Sequence, residues 1–416
     1  MKVAIVGGGV VGLCSAYALK RAGAEVVLLE RATLGRGASE GNTGWISPTI
    51  STPLAAPGVL RSGLRSAFDP RGALVIRPGL DTAWLRWLWA FRAASARPRY
   101  RRGVKALLDL NGRTFSELDA YAADGVEFEM HGGGILCLAR SEYGISWFAP
   151  VFEDLQSLGF EGSIERLTVD AAREIEPALG DDARFIVRTS VDRYVRPESL
   201  MAGLADKLRG QGVELREQVD VKALRKTGAG WTLDTSGGAI EAVVVVVTAG
   251  AATPPLLQPF GLRVPIVPAK GYSLTLQGEG VAPRTALYLC EPKIGVSGYD
   301  GGVRIAGTFE LPGRNLGVDR KRVGYILDDT LPFIRGWKPA QGEVAKQGGW
   351  AGFRPATPDS LPLLGPIPGQ SGLYVAAGHG MLGVTLAPAT GVAIADMVMT
   401  RNVPTWLAPM APGRSF

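Results

Sequence analysis

The sequence is poor in the residues that most often bind metals or do thiol chemistry. It has two histidines, His131 and His379, and three cysteines, Cys14, Cys137 and Cys290, far apart in the chain. They form no CxxC pair and no Cys/His cluster, so no zinc, iron–sulfur or other metal site is expected. A scattered, odd set of thiols suits a reducing, cytoplasmic compartment. The longest apolar runs stop short of the ~20 residues that cross a bilayer. The N-terminus opens directly on a strand-like run, without the tripartite pattern of a secretory signal. Charge of one sign is also scarce: 45 basic against 39 acidic residues leave +6. That is too thin for the basic footprint of a nucleic-acid binder, and it is compatible with an anionic small-molecule substrate. What the chain does have is apolar residues, 46% of 416. At roughly 100–200 residues per domain, this suggests two or three domains.

The first thirty residues carry the sharpest signal. The apolar run Val3 to Val6 reads as a buried parallel strand. Gly7-Gly8-Gly9-Val10-Val11-Gly12 then fits G-x-G-x-x-G. Leu13 to Ala22 has helical spacing, with Gly23 suited to its C-terminal cap. A second strand runs from Glu25 to Leu29 and ends at Glu30. Gly7 allows the tight turn, Gly9 lets backbone approach a pyrophosphate, and Gly12 lets helix and strand pack closely. The helix N-terminus offers free N–H groups and partial positive charge to phosphates. Glu30 lies 18 residues beyond Gly12, near the ~20 expected of a carboxylate that accepts ribose hydroxyls. It would repel a 2′-phosphate, which disfavours NADP. The fingerprint alone does not choose between FAD and NAD.

Three further stretches bear on that choice. Arg31 to Pro57 is long, polar and rich in small residues, as backbone laid along a ligand would be, or as a surface loop. Glu241 to Thr248 is a β-branched run ending in Thr248-Ala249-Gly250, which reads as a central parallel strand. Leu373 to Ala377 reads as another. It is followed by Gly378-His379-Gly380-Met381-Leu382-Gly383 and a helix from about Thr385 to Met399. A second strand–glycine–helix unit supplies a second helix N-terminus, whose positive end can stabilise charge on a reduced flavin ring.

These motifs, together with Gly352-Phe353-Arg354-Pro355-Ala356-Thr357-Pro358-Asp359, resemble the FAD-dependent D-amino-acid oxidase superfamily. Gly41-Asn42-Thr43-Gly44, Lys270-Gly271-Tyr272-Ser273-Leu274-Thr275 and Arg304-Ile305-Ala306-Gly307-Thr308-Phe309-Glu310 bring the chain nearest its bacterial D-amino-acid dehydrogenase branch. The resemblance covers almost the whole chain. It implies an α/β (α+β) fold: a Rossmann-like FAD-binding domain built from discontinuous segments, plus a mixed-sheet substrate domain. Residues 1–60, 190–260 and 345–405 would form the first, and 61–189 and 261–344 the second. Residues 406–416 form a Pro- and Ala-bearing tail that is ordered by docking or not at all.

The resemblance also implies site residues. FAD, held non-covalently, would meet Gly7, Gly9, Val10, Val11 and Gly12, with Glu30 and Arg31 at the ribose. Asn42, Thr43, Gly44, Trp45 and Ile46 would lie along it, with Val221 at the adenine. Thr248, Ala249 and Gly250 would follow, and Gly378, His379, Gly380, Met381, Leu382, Gly383, Val384 and Thr385 would close the ring end. Arg354 is the expected partner of the substrate carboxylate, since a guanidinium offers two parallel donors matched to it. The alternative is a structural arginine that caps helix carbonyls or pairs with Asp359. Tyr272 and Tyr299 are further candidates, Arg304 a lesser one. His379 belongs to the flavin loop rather than serving as a base. Met381 stands where glycine- and sarcosine-oxidising relatives often carry a basic residue, which disfavours that assignment. The implied reaction moves hydride from Cα to flavin N5, giving an imino acid, then a 2-oxo acid and ammonia.

The acceptor and setting stay open. Trp84, Trp87, Leu88 and Phe91 share a helical face, with Trp89 nearby and Arg86, Arg92, Arg97, Arg99, Arg101 and Arg102 around them. Trp with Arg suits a membrane interface, hence peripheral contact with the inner face of a membrane and a quinone acceptor. A helix packed on its own domain reads the same way. Rival functions are an oxygen-using oxidase of D-proline, hydroxyproline or an N-alkyl glycine, and a non-catalytic dinucleotide sensor.

Overall fold

The computed structural model describes every residue except 61, 62, 64–68, 78, 80, 229 and 314. The N-terminal unit forms as its pattern predicts: β1 (Lys2–Val6), α1 (Val10–Arg21) and β2 (Glu25–Leu29). β1 pairs with β2 in parallel from Lys2↔Glu25 to Val6↔Leu29. On its other edge it takes β3 (Val244–Val247), from Val3↔Val244 to Val6↔Val247. The strand Glu214–Arg216 extends the sheet beyond β2, and Leu373–Ala377 extends it beyond β3. Leu363–Pro366 closes that edge in the antiparallel sense. The central strands are buried on both faces, which explains their unbroken apolar runs.

The valine run expected as one strand over 241–248 is split. Gly238–Ala242 ends an antiparallel meander with Val221–Lys226 and Trp231–Thr235. Val243 turns outward at the corner, 44% exposed, while its N–H bonds Lys2 O. The chain thus changes sheets within six residues of similar type. The loop expected over Arg31 to Pro57 is also more ordered than its composition suggests. Trp45–Ile46 pairs with Arg193–Val195, and Pro48–Ile50 forms a 3-10 turn. The buried Asp192 carboxylate accepts from the Ser47 and Thr49 hydroxyls at 2.8 and 3.0 Å.

The second sheet is mixed. Its described core includes β4 (Val267–Leu276), β5 (Ile294–Tyr299), β6 (Gly302–Leu311) and β7 (Trp350–Ala356), in the order β7-β4-β6-β5. Ala286–Leu289, Ile135–Ala139, Phe185–Thr189 and Ile164–Leu167 continue it. β7 therefore hydrogen-bonds into the mixed sheet, although it lies within 345–405, the segment grouped with the nucleotide-binding domain. Over one face of this sheet lies α2 (Thr82–Ala94), capped by the Asp81 carboxylate accepting from Ala83 N. Trp84, Trp87 and Phe91 stack at centroid distances of 5.4 and 5.3 Å and pack against Ala269 and Phe309. This face of α2 is the self-packing helix of the two readings.

α3 (Gly383–Thr400) is long and apolar enough to cross a bilayer by length and composition, yet most of it is buried in the protein. It lies against α1, and the two backbones touch at Gly391, where a Cβ would sit 2.5 Å from Cys14 O. The C-terminal segment docks. Leu407 and Met410 are buried, and Arg414 donates to both Asp359 carboxylate oxygens at 2.8 and 2.9 Å.

Because the contact at Gly391 is with backbone, Gly391→Leu forces α1 and α3 apart. It should lower stability by about 1–3 kcal/mol, read as a lower urea midpoint. Gly210→Ala, where a Cβ meets open space, should leave the midpoint nearly unchanged.

Candidate active site

The cradle is built by close approach. A Cβ at Gly12 would lie 1.9 Å from Gly7 O, whereas one at Gly9 would meet nothing nearer than Ser39 Oγ at 3.6 Å. Gly12 thus serves packing, and Gly9 leaves space at the helix mouth. α1 has no side-chain cap on its N-cap residue and no acid in its first turn, so its first N–H groups suit a phosphate. The Ser39 hydroxyl accepts from Val10 N at 3.3 Å. Thr248 sits beneath, its hydroxyl shared between Val6 O and Gly7 O. Glu30 accepts from Gly8 N at 2.7 Å and Ala32 N at 2.9 Å, which fixes the carboxylate at the end of β2. Arg31 is exposed beside it. Val221 opens its strand just after Val219, whose N–H bonds Glu30 O. Ala249 and Gly250 lead into a 3-10 turn, both half-buried. This set fits the pyrophosphate and ribose of a dinucleotide.

The segment Glu40 to Trp45 is gripped by its carbonyls. Arg304, 3% exposed, donates to Glu40 O and Asn42 O at 2.8 and 2.9 Å and pairs with Glu198. Tyr299 and Ser297 donate to Thr43 O at 2.5 and 2.8 Å. Thr385, at the start of α3, donates to Trp45 O at 2.6 Å. Gly44 N bonds Asn42 Oδ1, and Ile46 is fully buried. Sequence alone left Ser297 and Glu198 unnoticed, because nothing in the chain marks which polar residues face this loop.

Arg354 lies on β7 opposite Ala269 of β4. Its guanidinium rests flat on Gly271, where a Cβ would come within 1.7 Å of Nη1. It donates to Thr308 O at 2.8 Å and lies 5.7 Å from the Phe309 ring centroid. Among the described residues no carboxylate pairs with it; Asp359, the alternative partner, is taken by Arg414. Burial alone pulls the guanidinium down to about 10, because desolvation disfavours the charged form. Phe309 and Ala356 also line a cavity of about 20 Å³, closed by Trp87, Phe91 and the loop His379 to Leu382.

That loop forms as expected. Gly380 N bonds Pro355 O at 2.9 Å, which ties the loop to β7. Gly378, Val384 and Thr385 are buried, Leu382 and Gly383 are half-buried, and Met381 is 44% exposed. His379 is enclosed, its Nε2 3.1 Å from Thr390 Oγ1. Burial holds its imidazole down to about 3, so it is neutral and carries no acid–base role near pH 7.

The two tyrosines do not join Arg354. Tyr272 alternates with Gly271 along β4, so it points to the opposite face of the sheet. It is 1% exposed in that core, with its phenol 3.4 Å from Glu310 Oε2, and burial pushes it up to about 12. Tyr299 spends its hydroxyl on Thr43 O and Val195 O. Both expectations of a substrate contact are corrected to structural roles, and so is that for Arg304.

A family model described as FAD dependent oxidoreductase matches residues 2–397. The chain belongs to this family: it is an FAD-dependent oxidoreductase with the α/β fold expected of one. It is similar to the D-amino acid dehydrogenase of Xanthobacter autotrophicus (strain ATCC BAA-1158 / Py2), 32% identical over 408 residues, 96% of this chain and 95% of that one. The D-amino acid dehydrogenase of Xylella fastidiosa (strain M23) is 32% identical over 414 residues, 96% and 92% of the two chains. Glycine oxidase from Geobacillus kaustophilus shares the fold, with a TM-score of 0.77 at 24% identity over 100% of this chain and 98% of that one.

The cradle can be tested without turnover. Gly9→Val meets no backbone, so the chain should fold with an unchanged circular dichroism spectrum yet purify without the flavin band. Retention of FAD by this variant would remove Gly9 from the site.

Proposed function

We propose that this enzyme oxidises the CH–NH2 bond of an amino acid, in the D series, to an imino acid that water converts to a 2-oxo acid and ammonia. The reading rests on Arg354, a half-buried cation behind the cavity-lining Phe309 with no anionic partner among the described residues. A substrate carboxylate is the ligand that would satisfy it, through a bidentate contact that also fixes orientation. The D series comes from the named relatives. FAD, when bound, supplies the two-electron sink. Arg354 holds the substrate so that Cα–H faces it, a proximity effect. The aromatic wall of α2 and the loop from His379 exclude water. With His379 neutral, the amine reacts in its neutral form and gives its proton to solvent.

The same reading divides the chain into two discontinuous domains, with β7 moved from the nucleotide-binding segments to the mixed sheet, where it carries Arg354. Cys14, Cys137 and Cys290 are free and buried in apolar clusters, which supports non-covalent FAD and a cytoplasmic setting. An oxidase of a cyclic or N-alkyl amine is the second reading, because the uncharged cavity among the described residues would also admit an apolar N-substituent. A non-catalytic sensor gives Arg354 no task.

The outer face of α2 favours a dehydrogenase with a lipid-soluble acceptor. Leu85 and Trp89, four residues apart, are 47% and 70% exposed, and Arg86 and Arg92 are exposed beside them. We assign this face to peripheral contact with an anionic membrane surface, the inner face of the cell membrane, and a quinone as acceptor. Trp89→Glu should then lower co-sedimentation with anionic vesicles, with activity toward a soluble dye kept. Equal binding of both proteins would end this assignment.

Anaerobic addition of D-amino acids should bleach the flavin band. Arg354→Ala should cut the reduction rate constant per substrate concentration by at least about 30-fold, given 2–5 kcal/mol for a buried charge-paired contact. Gly271→Ala, which displaces the guanidinium, should do the same while FAD stays bound. A flavin that no amine reduces, in an intact holoenzyme, would sink the amino-acid reading.

A further inference from the structure

The cavity beside Arg354 has a consistent chemistry. Its side-chain walls are Trp87, Phe91, Phe309, Leu54 and Met381, joined by hydroxyls and a neutral imidazole. Among the described residues no charged side chain lines it. The rings are fixed: Trp87, Phe91 and Phe309 are 4%, 1% and 6% exposed, and the Trp87 indole N–H donates to Pro265 O at 3.0 Å. Met381 is different, being unbranched and 44% exposed at the mouth. About 20 Å³ is room for roughly one water-sized group, hence a methyl.

We infer that this cavity is the subsite for the substrate side chain and that Met381 is its specificity-determining residue. The inference rests on the reading that Arg354 holds an amino-acid carboxylate. A methyl enters the cavity as it stands. A longer apolar chain enters by swinging the flexible Met381 thioether aside, while the stacked rings hold their place. A charged side chain finds no counter-ion here and loses its hydration. The substrate class is therefore amino acids with small, uncharged, apolar side chains, and the size limit is set by one residue.

The test uses holoenzyme, anaerobic flavin reduction and the series alanine, 2-aminobutyrate, norvaline, norleucine, with glutamate and lysine added, in both enantiomers. In the parent enzyme the rate constant per concentration should fall along the series and be lowest for the two charged members. Met381→Ala should raise the norleucine-to-alanine ratio about 10-fold or more, the range one methylene commands in an apolar pocket. Met381→Glu should raise the lysine-to-glutamate ratio by a similar factor. Both residues are tolerated by fold, since position 381 is exposed. Ratios unchanged in both variants, with alanine still reducing the flavin, would overturn the subsite alone. Failure of every amino acid to reduce the flavin would overturn the parent reading and the subsite with it.

Discussion

The capture of one loop's carbonyls by side chains from elsewhere holds the two halves of this molecule together. Arg304, Tyr299 and Ser297 come from the mixed sheet, and Thr385 from the helix behind the nucleotide sheet. Between them they satisfy Glu40, Asn42, Thr43 and Trp45. A loop with few apolar side chains has little hydrophobic reason to hold a shape, so hydrogen bonds must supply one. Arg304 can be so deeply buried because its charge meets Glu198 and its remaining donors meet carbonyls and Thr275. A satisfied network of this kind specifies a single arrangement.

Arg354 is the counter-example. Its burial is only partly compensated, by one carbonyl and an aromatic face, and its proton affinity falls accordingly. Desolvating a cation without a counter-ion costs several kcal/mol. The fold tolerates this because β4 and β7 are stable on other grounds, and because Gly271 leaves a flat floor for the guanidinium. Two arginines on strands either side of β4 thus differ, one with its charge fully compensated and one without.

Much of this was legible in the chain. The turn at Gly7 to Gly12, the carboxylate at Glu30 and the glycine loop after Ala377 depend on local geometry, and local geometry leaves a local pattern. Arg354 was legible through its motif. What the chain hid depends on pairing. Tyr272 looks as suitable as Gly271 until β7 docks on β4 and places Arg354 on the glycine's face. The valines before Thr248 look like one strand until Val243 is seen to turn the corner between two sheets. The side chains that hold the loop at Glu40 to Trp45 lie some 250–340 residues away, and no spacing rule reaches that far.

The parallel nucleotide sheet draws its strands from both ends of the chain, with Leu373–Ala377 beside β3 and α3 packed on α1. On a ribosome, the first thirty residues emerge long before the strand and helix that cover them. Until then α1 shows its apolar face to solvent, and β1 lacks the neighbour on one side. Such non-local pairing is slow to complete and leaves exposed surface in the interval. The fingerprint of the cofactor is synthesised more than two hundred residues before β3 and further still before α3, so the cradle it belongs to is among the last parts to close.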